Sequence, residues 1–206
     1  MSEPGLLIRS LSGRQSARNF HSFVINEIGL GVASEAFPIG SILPNDAEMI
    51  ERYGVSRTVL REALKTLEAK GLVEARAKVG TRVQPRSRWN LFDRQVLFWI
   101  FHANPEPGFL EHVIEVRRTL ELEAVGLATQ RRTSEHVRMM RYWVQQHDHT
   151  ANMVEPCGLA AYEIHRLVFE ASHNALLRSA NGVVEFALAS ALRSDLQAGV
   201  RSEERR

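Results

Sequence analysis

The chain has a single cysteine, Cys157, among 206 residues, so no intrachain disulfide can form and a stapled secreted scaffold is excluded. A reducing compartment follows, and the expectation is a cytoplasmic protein. Long apolar runs are missing as well. The nearest to one, Val96 to Phe101, falls far short of the roughly 20 residues a membrane span needs, so no membrane segment is expected. Met1 to Leu11 lacks a basic start, a long apolar core and a small-residue cleavage site, so no secretory leader is expected. Proline (7 residues) and glycine (13) are too few, and hydrophobic residues (44%) too many, for collagenous or low-complexity structure. What remains is a soluble globular chain, long enough for one large domain or two small ones.

Charge of one sign is scarce overall, with 26 basic and 24 acidic residues giving +2, but its placement is uneven. Between Arg52 and Arg88 there are 10 basic and 3 acidic residues, a local +7, whereas Trp89 to Arg206 has 13 against 15, or −2. A local field of that size either decorates a solvated surface or attracts a polyanion such as nucleic acid. Pattern decides between them.

From Gln15 to Leu30, Ala17, Phe20, Val24 and Ile28 recur at helical spacing and predict an amphipathic helix. Leu43-Pro44 leads into Asn45 with Glu48 three residues on, the signature of a capping box that opens a short second helix, and Gly54 closes it. Ser56 can cap a third helix to about Lys70, with Gly71 as its stop. Leu72 to Ala75 and Thr81 to Val83 read as short strands around Lys78-Val79-Gly80. Three helices followed by a hairpin are the order of a winged helix-turn-helix.

On the third helix, 100° steps place Leu60, Ala63, Leu64 and Leu67 on one face and Arg57, Thr58, Arg61 and Lys65 on another. One face packs, and the other is free and positive. Arginine and a hydroxyl at the start of such a helix suit the DNA major groove, where guanidinium groups reach guanine edges and first-turn amides favour phosphate.

The span Ile42-Leu43-Pro44 through Tyr53-Gly54-Val55-Ser56-Arg57-Thr58-Val59-Leu60-Arg61-Glu62-Ala63-Leu64 to Leu67-Glu68-Ala69-Lys70-Gly71-Leu72-Val73 resembles the head of GntR-family transcription regulators. The resemblance implies a DNA-binding set of Ser56, Arg57, Thr58, Arg61 and Lys65 on the reading helix. It also implies that a wing tip near Gly80 enters the minor groove, with Lys78 and Arg82 at phosphate. Ala47 stands where the family often has arginine, and Ala77-Lys78 where a basic residue and a glycine are more usual.

Residues 85–90, with Pro85 and Ser87, read as a linker between a head at 14–84 and a helical domain at 91–206. Helices are expected at Phe92–His102, Phe109–Gln130, Ser134–Thr150, Gly158–Ser172 and Ala175–Leu196. Glu115 to Ala124 and Ile164 to Leu177 resemble the FCD effector domain of the same family. That likeness implies a homodimer acting on double-stranded operator DNA. It also implies a small carboxylate effector, often a sugar acid or organic acid, beside a divalent metal held by one Asp and three His.

Arg117 matches a basic position of that cavity and can anchor the effector carboxylate, or it can pair with Glu121 at i+4. His165 matches the family's first histidine, as metal or effector ligand, or it is a hydrogen-bonded structural histidine. The Asp expected one turn earlier is Ala161, and the two later family histidines would lie beyond Arg206, so the helical domain is expected to be short and its metal site incomplete. His147-Asp148-His149 reads as a solvated helix end, since residues two apart point about 200° from each other.

The reading is therefore a mainly α chain and not an enzyme: a winged helix-turn-helix followed by a helical effector domain, acting as a metabolite-responsive repressor of a catabolic operon. A truncated regulator with impaired effector sensing and a metal-dependent enzyme are the alternatives.

Overall fold

A computed structural model describes residues 5–11 and 20–203, with the side chains of residues 20, 21, 107 and 197–203 left aside. It is predominantly helical, and its described residues fall into two compact units. One lies within 16–105, and the other joins the described part of 1–15 to 106–206.

The first unit begins with α2 (Phe20–Ala33), since a short helix, α1 (Leu6–Ser10), precedes it in the chain and belongs to the other unit. Val24, Ile28 and Val32 of α2 are fully buried; positions 15–19 of the expected helix lie outside the described residues. Next come α3 (Asp46–Tyr53) and α4 (Arg57–Ala69). The Asn45 side chain accepts the Glu48 amide at 3.1 Å, the first half of the expected capping box, and Gly54 turns the chain between the helices with φ 63°, a left-handed conformation that costs glycine little. Leu60, Ala63 and Leu67 of α4 are buried, with Leu64 half-buried beside them.

Strands β1 (Val73–Arg76) and β2 (Gly80–Val83) pair antiparallel, Val73 opposite Val83 and Arg76 opposite Gly80. The segment before α3 joins this hairpin through an Ile42 to Arg82 bridge, with Leu43 N–H donating to the Thr81 carbonyl at 2.8 Å. Residues 85–90 include a single 3-10 turn, Arg86–Arg88. They are pinned by the buried Trp89, whose indole N–H donates to the Gln84 carbonyl at 3.0 Å, and by Asn90 N–H on the Lys70 carbonyl at 2.9 Å.

Helix α5 (Arg94–His102) also belongs to this unit, packing against α2. Its Trp99 lies on Gly29, where a Cβ would collide with the indole, and donates from Nε1 to Asn26 at 3.0 Å. Bulky apolar residues crowd the buried side of α5, which explains why it needs a partner rather than solvent.

The second unit is a helical bundle of α6 (Pro107–Arg131), α7 (Ser134–His149), α8 (Val154–Ala171), α9 (Ala175–Ser179) and α10 (Asn181–Glu203). Ala124, Phe169, Leu177 and Val184 form a buried cluster where α6, α8, α9 and α10 meet. The single helix expected from Ala175 to Leu196 is two, broken at Ala180, and Asn174 caps the first by accepting the amides of Leu176 and Leu177.

Helix α1, which the sequence reading does not foresee, packs on α8 and α10 of this bundle. Leu7 and Ile8 are buried there, and the Leu7 amide donates to the buried Glu185 carboxylate at 2.7 Å. Among the described residues no helix is long and apolar enough to cross a membrane.

Candidate nucleic-acid interface and effector site

The positive face of α4 is built by a cap and a turn. The Ser56 hydroxyl accepts the Val59 amide at 3.3 Å, satisfying one amide of the first turn, and the Gly54 turn starts α4 directly after α3. With Leu60, Ala63 and Leu67 inward, helical periodicity puts Arg57, Thr58, Arg61 and Lys65 outward, and all four are exposed.

Their electrostatic surroundings differ. The Arg57 side chain has no hydrogen bond or ion pair among the described residues. Arg61 Nε stands 4.0 Å from the Asp46 carboxylate, a distant and solvent-screened pair. Lys65 Nζ is held by Glu62 at 2.8 Å, one turn back on the same helix. The sequence reading did not single out Asp46 and Glu62, although i, i+3 spacing alone signals the second pair.

At the wing, Lys78 takes a left-handed φ of 62° at the exposed hairpin tip, and Gly80 is exposed beside it. Arg82 is different: half-buried, it donates from Nε to the Gly40 carbonyl at 2.9 Å and ties the segment before α3 to the hairpin. Arg52, read only as part of the basic run, is exposed at the end of α3 with its guanidinium 5.8 Å from the Phe37 ring centroid and 5.6 Å from that of Tyr53.

In the helical unit, Arg117 and His165 are brought together from α6 and α8. Arg117 Nε donates to Glu121 at 3.0 Å, so the i, i+4 ion pair is formed, and its Nη2 lies 3.3 Å from His165 Nε2. A guanidinium only donates, so Nε2 accepts and the ring's Nδ1–H is free to donate to Glu121 at 2.8 Å. Burial works against the Glu121 charge. The hydrogen bonds from His165 and Arg117 and the charge of the Arg117 guanidinium more than offset it, so the carboxyl titrates below its usual range. Glu121 is the member of this cluster that sequence reasoning assigned only to Arg117, because no local spacing signals a contact from α6 to α8.

Ala161 leaves the position one turn before His165 without a donor, and no cluster of three or more His, Cys, Asp or Glu able to hold a metal ion occurs among the described residues. His147 and His149 both lie in the last turn of α7, with His147 Nδ1 only 3.8 Å from its neighbour Asp148.

Two family models match the chain: that of the bacterial regulatory proteins of the gntR family over residues 22–83, and that of the FCD domain over residues 112–205. An uncharacterized HTH-type transcriptional regulator of Escherichia coli strain K12, YieP, is 37% identical over 127 residues, 61% of this chain and 55% of that protein. The chain thus spans little more than half of that relative's length. The galactonate operon transcriptional repressor of the same strain is 28% identical over 155 residues, covering 75% of this chain and 68% of the repressor. Among solved structures, the Listeria monocytogenes protein Lar, described as controlling expression of the agr system and mediating virulence, is similar with a TM-score of 0.52. Its identity is 13%, over 86% of this chain and 74% of its own, and that likeness concerns the fold alone.

Proposed function

The chain belongs to the gntR family of bacterial regulatory proteins and has an FCD domain; from that premise we propose that it is a metabolite-responsive repressor that binds operator DNA as a two-fold homodimer. The observation that carries the proposal is the outward face of α4, where a capped helix start presents Arg57, Thr58 and Arg61 to solvent. Arg57 and Arg61 read base edges, Ser56 and Lys65 hold the helix start and its flank against the backbone, and Lys78 reaches phosphate from the wing with Gly80. Arg82 acts mainly by fixing the hairpin through Gly40.

The effector is a small carboxylate, and the sugar acid named in the galactonate operon repressor supports that class. Arg117 is its anchor. The guanidinium is held by Glu121 and His165, and an incoming carboxylate competes with Glu121 for it. An effector moves the equilibrium only if it binds the two states of the regulator unequally.

The test is fluorescence anisotropy of the full chain on the DNA upstream of its own coding sequence, with and without galactonate and related sugar acids. Binding to a discrete fragment, weakened by one sugar acid, is expected, and Arg117→Ala keeps the binding while losing the response. A chain that binds no fragment in preference to random DNA contradicts the proposal.

A further inference from the structure

Between α1, α7 and α8 the helical unit has an open cleft of about 830 Å³, within the size range of small-molecule sites. It is a different place from the Arg117 cluster. Leu159 and Glu163, four apart on α8, share the face that lines the cleft, whereas His165 lies two residues on and is turned about 200° away.

Among the described lining residues, the cleft's unengaged donors come from three side chains. Arg9, from α1, lines the cleft with no side-chain hydrogen bond or ion pair among the described residues. Trp143 and Gln146, from α7, line it too, and neither the indole N–H nor the side-chain amide has a partner among them. Glu163, the one carboxylate among the described lining residues, is already paired with Arg166 at 2.8 Å. Among the described lining residues Arg9 is therefore the cation that no carboxylate pairs, and it shares the cleft with an aromatic face and the apolar Leu159.

We propose that this cleft is a second small-ligand site, taking a monocarboxylate with a flat apolar body. The carboxylate accepts from Arg9, the body lies against Trp143 and Leu159, and Gln146 supplies a further donor. A neutral isostere lacks the charge that the guanidinium needs, and a dicarboxylate brings a second charge toward Glu163.

The test labels the full chain with 5-fluorotryptophan and follows the ¹⁹F resonances of Trp89, Trp99 and Trp143, the last assigned through Trp143→Phe, during titration with sodium benzoate at constant ionic strength. A saturable shift confined to Trp143 is expected, absent with benzamide, and Arg9→Gln weakens it by at least about tenfold. A ligand-free Trp143 resonance and a melting temperature like those of the parent chain establish that the helical unit of that variant is intact, and Arg117→Ala leaves the titration unchanged. The proposal is overturned by no saturable shift at Trp143, by an equal response to benzamide, by unaltered affinity in Arg9→Gln, or by loss of binding in Arg117→Ala. Loss of binding in Arg117→Ala would place benzoate at the Arg117 cluster instead; the other outcomes bear neither on DNA binding nor on the sugar-acid response.

Discussion

Arg61 and Lys78 are both exposed cations, yet their settings predict different contributions. Arg61 sits on the rigid, capped α4, and a bidentate contact to guanine is worth about 1–3 kcal/mol of discrimination. Lys78 sits at a hairpin tip and offers a screened point charge to phosphate. Arg61→Ala is therefore expected to weaken binding to a specific operator more than Lys78→Ala does, measured by anisotropy on operator and random duplexes; equal losses on both DNAs contradict the assignment of the reading helix.

Glu121 sets a pH dependence of its own. Its carboxyl is depressed in the folded chain, so it contributes stability above the unfolded value and loses it as pH falls through the folded one. Acid unfolding should show that loss below pH about 4.3, and Glu121→Gln should flatten this part of the profile. A variant with the same acid slope as the parent rules Glu121 out as its source.

At the scale of elements, what was legible in the sequence is what local chemistry specifies. Asn45, Gly54 and Ser56 announce the ends of α3 and α4, and the 3.6-residue period of α4 gives its buried face correctly. Other features depend on partners far along the chain. The five residues of α1 are too short to be stable alone, and they are helical because Leu7 and Ile8 bury against α8 and α10 and Glu185 accepts the Leu7 amide. The break at Ala180 is marked by the Asn181-Gly182 pair that follows it, a signal the helical periodicity on either side masks; Asn174 caps a short helix ahead of it.

His136, at the third position of α7, closes a capping box with Thr133 where glutamate or glutamine is the usual signal. Similarly, its place in the chain assigns α5 to the helical half, while its Trp99 packs on Gly29 of α2. Two stability measurements address these docks. Ile8→Ala is expected to cost about 2–5 kcal/mol in denaturant unfolding, since the side chain is wholly buried, and a loss near zero contradicts the docking of α1. Gly29→Ala should lower the melting temperature by driving a methyl group into the indole, and an unchanged value contradicts the close approach of α2 to α5.

For the molecule as a whole, the division of labour follows the charge. The +7 between Arg52 and Arg88 lies within one compact unit, the one that holds α4 and the hairpin, while the remainder of the chain after it is net negative. Under the proposed function, a cationic head that neutralises several phosphates releases their counterions, so its affinity is expected to fall steeply with salt, whereas base contacts on α4 are expected to add a preference that persists as salt rises.

The most direct measurement is anisotropy of the full chain on its selected operator fragment and on a scrambled duplex of equal length, across a salt series. The account predicts steep, nearly parallel declines in log affinity with log salt, with the operator bound more tightly throughout. Equal affinity for the two duplexes, or binding indifferent to salt, would contradict it.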